Sequence, residues 1–341
     1  MSVLILGLET SCDETAAAVV ADGGTILSNV VASQVEIHRR FEVLPRSHLG
    51  YHPAEALNPV IAAALADAGI GFADLSAVAV TQGPGLLGSL LVGLMAGKSL
   101  SFALGIPLVA VNHIEAHIYA NFLVEPEVPF PFVALVVSGG HTDLIYAASH
   151  SEFRLVGQTR DDAAGEAFDK VARVLGLGYP GGPAIECLAR EGNPQAVALP
   201  RAFLEEDAFD TSFSGLKTAV VNYLNRARQK GEAVNVADVA AGFQAAVAEV
   251  LVAKAMAAVR MYGAKALLLA GGVAANGYLR EYFLKGAQEE GVRLIIPPPA
   301  LCTDNAAMVA AAGYYRFLRG DFAPLTVNAL AGLALGEDPS V

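Results

Sequence analysis

The feature that most restricts how this chain can fold is a strand, turn and returning strand that occurs twice. Residues 3–8 read as a buried apolar strand, Glu9-Thr-Ser-Cys-Asp-Glu-Thr15 as a polar turn and residues 16–20 as the return, closed by Asp22-Gly23-Gly24. Residues 132–137, Ser138-Gly-Gly-His-Thr142 and residues 143–148 repeat the design in the middle of the chain. Two hairpins with hydroxyl- and glycine-rich tips, each opening one half of 341 residues, predict a duplicated α/β domain with a ligand held between the tips. With 54% hydrophobic side chains, such a chain can bury a large core in each half.

Residues 107–121 run a short strand straight into a helix carrying His113 and His117. At about 100° per residue the two imidazoles lie roughly 40° apart on one helix face, a spacing that suits one shared metal ion or two buried structural histidines. The H-E-x-x-H helix of metallopeptidases has its glutamate directly after the first histidine, but that position here is Ile114. Glu115 projects from the opposite side and, three residues after Asn112, fits a capping box that fixes the helix start. Asp304, within Thr303-Asp-Asn305 at the head of the last apolar helix, suits a third metal ligand and equally a plain helix cap.

A formal net charge of −12 argues against a broad phosphate-backbone footprint, and leaves room only for a local basic patch or for a partner that supplies one. The longest apolar region, residues 85–111, is broken by Lys98, several glycines and Pro107, so no membrane span is expected. The amino terminus is too acidic for a signal peptide. Cys12, Cys187 and Cys302 are far apart and form no C-x-x-C, which fits a reduced, cytoplasmic protein. Gly97-Lys98-Ser99 mimics the end of a phosphate-binding P-loop, yet position 92 is Val and the segment lies inside an expected helix, residues 86–104.

Helices are also expected over residues 52–68 and 161–175, with the acids at 161, 162 and 166 as ordinary first-turn residues. Residues 176–183 read as a glycine- and proline-rich loop and residues 297–302 as a second loop. Residues 38–52, holding His38, His48 and His52 with Arg39, Arg40 and Arg46, read as an exposed loop. A strand over residues 265–270 ends in Gly271-Gly272 before a helix, a nucleotide cradle in which backbone amides approach a ligand closely.

Seven segments occur in one order: Glu9 to Thr15, Asn112-His-Ile-Glu-Ala-His117, Val137-Ser-Gly-Gly-His-Thr142, Ala164-Gly-Glu-Ala-Phe-Asp-Lys170, Tyr179-Pro-Gly-Gly-Pro183, Gly271-Gly-Val-Ala-Ala-Asn276 and Thr303-Asp-Asn-Ala-Ala-Met308. Together they resemble the TsaD family, the tRNA threonylcarbamoyladenosine transferases once called glycoproteases. The resemblance implies an α/β, duplicated actin-like, sugar-kinase and Hsp70-like ATPase fold with two lobes around a nucleotide cleft. The lobes are expected at residues 1–128, joined by a C-terminal helix at 304–330, and at residues 129–303. It implies transfer of threonylcarbamoyl from threonylcarbamoyl-AMP to N6 of adenosine 37 in tRNAs reading ANN codons, with release of AMP. Bacterial members imply TsaB and TsaE as protein partners.

Carried onto this sequence, the resemblance matches His113, His117 and Asp304 to the metal ligands, with Fe2+ as the usual assignment and Zn2+ as an alternative for the same donors. It matches Ser138, Gly139, Gly140, His141 and Thr142 to the phosphate-side loop, and Asp169, Gly182 and Asn276 to adenylate-binding positions. Glu186 stands where many relatives have Asp near the ribose. The amides of Ser138, Gly139 and Gly140 read as a backbone nest for phosphate, and His141 as the nearest general base or a ligand contact. Glu9, Ser11 and Asp13 at the first tip read as facing a nucleotide phosphate through Mg2+ or water, or as capping their own turn. One region departs: Phe41-Glu-Val-Leu-Pro-Arg-Ser-His48 puts Arg46 where relatives commonly carry an acid. Rival classes are a non-catalytic nucleotide-binding scaffold, a metallopeptidase and a sugar kinase; the intact triad, the displaced Glu115 and the histidine helix argue against them in turn.

Overall fold

The computed structural model describes residues 2–33, 53–202 and 209–336, so the expected loop at 38–52 with its histidines and arginines lies outside the described residues. The chain forms two compact units, Met1–Val128 with Thr303–Val341, and Pro129–Cys302.

The first unit is built on five strands, β1 (Leu4–Glu9), β2 (Glu14–Ala21), β3 (Thr25–Ser33), β4 (Ala77–Gly83) and β5 (Leu108–Asn112), in the order β3-β2-β1-β4-β5. β2 pairs antiparallel with both β1 and β3, while β4 runs parallel to β1 and β5. Alternation along the strands sends Leu6, Leu8, Val19, Val78 and Val80 to one face, where they pack with Leu57 and Ile61 of α1 (Pro53–Ala68) and Leu90 and Leu94 of α2 (Leu87–Leu104). On the other face lies α10 (Ala306–Leu318), an alanine-rich helix pressed onto the strands. A Cβ at Gly7 would sit 2.3 Å from the Ala306 carbonyl oxygen, and one at Gly313 2.4 Å from the Ala79 Cβ, so glycine is what allows this contact.

In the second unit β6 (Phe132–Val137), β7 (Thr142–Ser149), β8 (Glu152–Gly157), β9 (Ala266–Ala270) and β10 (Arg293–Ile295) take the order β10-β9-β6-β7-β8. Read from the other edge this is the first sheet again, with the same parallel and antiparallel pairings. The duplication therefore extends from the hairpins to whole five-stranded sheets, because β3 and β8 each add a third antiparallel strand. The helices are α4 (Ala164–Val174), α5 (Gly181–Ala189), α6 (Ser214–Lys230), α7 (Val236–Tyr262), α8 (Gly277–Glu290) and the single turn α9 (Pro299–Cys302). Val133, Leu135, Val137, Leu267 and Leu269 of the sheet meet Val239, Phe243, Val247 and Leu251 of α7 in the core.

Three expectations shift. The helix expected over 161–175 is α4, which starts at Ala164, so Asp161 and Asp162 precede it and only Glu166 lies in its first turn. The loop at 176–183 ends in the first turn of α5, where Pro183 is tolerated because its missing amide has no intrahelical partner to lose. The loop at 297–302 contains α9. Helices α2 and α7 are each long and apolar enough to cross a membrane; of their most apolar stretch, 72% is buried within the protein for α7 and 28% for α2. One side of α2 buries Leu90, Gly93 and Leu94, and the other leaves Leu87, Leu91, Met95 and Phe102 exposed.

Candidate functional site

In the first unit, α3 (His113–Tyr119) starts where β5 ends. Asn112 is extended, with φ −76° and ψ 131°, and its side-chain oxygen accepts hydrogen bonds from the Ile114 and Glu115 amides at 2.9 and 3.3 Å. The expected N-cap is therefore present, and it fixes both histidines on a helix whose seven residues are all buried. The His113 and His117 ring centroids lie 4.7 Å apart. Their Nε2 atoms approach the same Asp304 Oδ1, at 3.7 and 3.1 Å. The cap reading of Asp304 gives way to its neighbour: Asn305 accepts the Met308 amide at 3.1 Å and donates to the Thr303 carbonyl at 2.8 Å.

Glu9 is engaged within the protein. Its carboxylate is fully buried at the end of β1, accepting from Thr81 Oγ1 at 2.7 Å and from the Ser11 amide at 2.5 Å, with His113 Nδ1 at 3.1 Å. Register explains the Thr81 contact, since Leu8 pairs with Val80 and the next residues fall side by side. Ser11 Oγ also lies 3.2 Å from His113 Nδ1. Burial works to raise the Glu9 carboxyl, but the His113 charge and hydrogen bonds from His113 and Ser11 outweigh it, so the net shift is downward. Burial likewise works against a charged His113, yet Glu9 and Asp304 push it up to about 9. A cation entering here must displace that proton.

Three features fit a cation. The candidate ligand atoms of His113, His117 and Asp304 all lie within 4.8 Å of one another. A carboxylate on His113 Nδ1 is the usual outer partner that leaves Nε2 free to bind metal. His117 is 1% exposed, and neither ring nitrogen has a hydrogen-bond partner, although Nε2 is at ion-pair distance from Asp304. A buried imidazole whose Nε2 meets only a carboxylate is costly, and a shared cation would relieve it.

The capping box itself is only half made. The Glu115 carboxylate turns to Arg316 of α10, with Nη2 at 2.6 Å and Nε at 3.2 Å, rather than back to the Asn112 amide. No sequence spacing relates positions 201 residues apart, which is why this pair escapes a local reading.

The second unit holds the other expected positions. At the β6–β7 tip the Ser138 amide donates to the His141 carbonyl at 2.9 Å, and Ser138 Oγ accepts the Gly140 and His141 amides at 3.3 and 3.1 Å. The expected nest is thus partly closed on itself, because the serine hydroxyl takes the place of an anion. Thr142 and Asn276 are engaged within the fold. Thr142 is buried and its Oγ1 accepts the Ala164 amide at 2.9 Å, starting α4; Asn276 is buried, caps α8 through the Leu279 amide and donates to Gln244 Oε1. Asp169 Oδ1 accepts the Gly181 amide at 2.8 Å. Glu186 Oε1 accepts the Gly277 amide and an Arg190 donor, each at 3.1 Å. These side chains tie the starts of α4, α5 and α8 into one wall.

The glycines fall into two groups. A Cβ on Gly165, Gly181 or Gly271 would meet backbone at 2.4–2.6 Å, so packing requires them. Gly139, Gly140 and Gly182 have open space there and none has φ in the left-handed region, so neither packing nor backbone conformation requires them. Beside the tip, Asp143 on β7 was not marked by any motif; burial pushes its carboxyl up to about 6.

The family model described as TsaD, tRNA N6-adenosine threonylcarbamoyltransferase, matches residues 25–311. A protein of that description from Moorella thermoacetica is 58% identical over 331 residues, covering 97% of each chain. Another from Symbiobacterium thermophilum is 57% identical over 338 residues, covering 98% of this chain and 97% of the other. Among solved structures, T. kodakarensis HypF superposes with a TM-score of 0.65 at 15% identity, over 94% of this chain and 48% of that one, a likeness of fold alone.

Proposed function

The chain belongs to the TsaD family, the tRNA N6-adenosine threonylcarbamoyltransferases, and from that premise we propose that it performs the transfer with one divalent cation held by His113, His117 and Asp304. As a member it is a transferase of tRNA modification that forms threonylcarbamoyladenosine on tRNA. The observation that carries the metal reading is the buried His117 ring, whose Nε2 is aimed together with that of His113 at one Asp304 carboxylate oxygen. Two imidazoles and a carboxylate with open positions suit Fe2+, the proposed metal, and Zn2+ is the alternative. When bound, the cation would polarise donor oxygens and offset the charge that develops on them. Glu9 holds the Nδ1 proton of His113 and so keeps Nε2 directed at the metal position.

The proposed donor is threonylcarbamoyl-AMP, whose AMP is already a good leaving group, so the task of the protein is mainly to orient the donor carbonyl. The open faces of Gly139, Gly140 and Gly182 support donor binding there, with Ser138, His141, Asp169 and Glu186 around them. His141 is assigned to donor contact, and Ser11 and Asp13 to a phosphate or its Mg2+. The exposed apolar stripe of α2 supports protein partners, proposed as TsaB and TsaE. Three cysteines with no disulfide between them support a cytoplasmic location.

The test is metal content and transfer to purified tRNA, measured on the same samples of wild type, His117→Ala and Asp304→Ala. A site with three protein ligands has none to spare, so each variant should lose bound metal and most transfer. A metal-loaded, active Asp304→Ala would refute the triad.

A further inference from the structure

Helix α6 is an electrostatic exception. Its 17 residues include Lys217, Arg226, Arg228 and Lys230 and no acid, in a chain with 34 acids and 22 lysines and arginines. No other described helix combines more than one cation with the absence of acids. The helix is firmly built: Leu216, Val220 and Ala227 are buried, Gly231 closes it in the left-handed conformation, and Asp161 holds its start by accepting the Phe213 amide at 2.8 Å and Ser214 Oγ at 2.6 Å.

The cations lie around the outward face. At about 100° per residue, Lys217 and Arg228 fall on one flank of that face and Arg226 and Lys230 on the other. Asn222, Asn225 and Gln229 lie between them and are exposed. From Lys217 to Lys230 the strip is about 20 Å long. Of these four cations only Lys230 has an ion pair with a described residue, a 3.5 Å contact with exposed Glu232. Solvation and the helix dipole account for cations in the last turn, but the dipole disfavours Lys217 in the first. The usual stabilising device for an exposed helix, acid and base at i and i+4, is missing.

We propose that the outward face of α6 is a phosphate-backbone contact for the tRNA substrate, with Lys217, Arg226 and Arg228 meeting phosphates and Asn222, Asn225 and Gln229 meeting ribose hydroxyls. This rests on the reading that the chain acts on tRNA. Charge complementarity selects the occupant: an otherwise acidic protein that handles a polyanion needs a local cationic surface, and an uncharged polar centre reads shape and 2′-hydroxyls rather than base sequence. The contact therefore fixes position on the tRNA and not which base is modified.

The test uses the full chain with its partner proteins and intact tRNA. In the triple variant Lys217→Gln, Arg226→Gln, Arg228→Gln the slope of log affinity against log salt should fall by about 2 to 3, as expected for three lost phosphate contacts. KM for tRNA should rise, with turnover at saturating tRNA, donor affinity and melting temperature unchanged. A control, Lys265→Gln on an exposed residue outside α6, should leave the slope as it is. Arg226→Lys with Arg228→Lys should also keep it, since the charge is retained. An unchanged slope in the triple variant, or a loss in the lysine variant as large as in the glutamine one, overturns the proposal. Wild type that transfers normally beside such a result leaves the transferase reading standing; wild type that transfers to no tRNA overturns both.

Discussion

Replacing Glu115 by Ala should destabilise the first unit far more than loss of a helix cap would. The cap survives the change, because Asn112 binds the backbone amides of residues 114 and 115. What disappears is the partner of Arg316, bound through Nη2 at 2.6 Å and Nε at 3.2 Å by a carboxylate that is 3% exposed. Deleting one member of a buried ion pair costs about 3–5 kcal/mol, since the other charge is left without compensation. The Arg316 side chain keeps 22% of its surface exposed and retains Asp321 at 2.8 Å. That relief puts the loss near the low end, about 3 kcal/mol. A capping box alone would cost about 0.5–2 kcal/mol. For a unit of this size about 3 kcal/mol lowers the melting transition by about 6–12 °C, which scanning calorimetry resolves. Because the two residues act as a pair, Glu115→Ala with Arg316→Met should cost less than the two single changes added together, by at least about 2 kcal/mol. A melting shift under about 4 °C together with strictly additive single and double variants would refute the ion-pair account.

Two further outcomes can be measured on the second unit. Gly140→Leu and Gly182→Leu should each weaken binding of the adenylate donor while leaving melting unchanged, because their Cβ positions open into free space; unchanged donor affinity in both would remove these loops from the site. Asp143→Asn should stabilise the fold at pH 8. The folded carboxyl is raised to about 6 by burial, so its ionised form penalises the fold above that pH, and the penalty fades as pH falls towards the unfolded value near 3.8. The gain at pH 8 should be about 2–3 kcal/mol and shrink at pH 4–5, and equal melting of both proteins at pH 8 would show that burial does not strain this carboxyl.

The sequence carries information of different reach. Strand, turn and cap signals are local, so the hairpins, the start of α3 at Asn112 and the strand before Gly271 could be read from a few residues each. Edge strands β3 and β8 were harder, because their half-exposed, mixed composition makes them strands only beside β2 and β7. Helices α6 and α7 lacked a motif to draw the eye, although Asn235 and Gly263 frame α7. The histidine spacing was plain, and so was Asp304 as one of two alternatives; only the structure gives the cap to Asn305. Contacts such as Glu9 with His113 or Glu115 with Arg316 join segments 104 and 201 residues apart, and nothing at either end alone specifies them. Conversely, Thr142 and Asn276 lie within recognisable motifs, yet their polar atoms close the fold rather than face outward.

The first unit is interrupted: its chain leaves after Val128 and returns at Thr303, with the whole second unit in between. Emerging from a ribosome, the histidine helix is exposed to the cell long before Asp304 and α10 exist. During that interval β1 lacks the helix that presses on Gly7, and the two imidazoles lack their carboxylate. Capture of the proposed cation would thereby wait for synthesis past Asp304, and a message cut short anywhere before Thr303 yields a chain with two of the three proposed ligands. A pulse-labelled nascent chain should accordingly acquire protease resistance in its first 128 residues last, although they are made first.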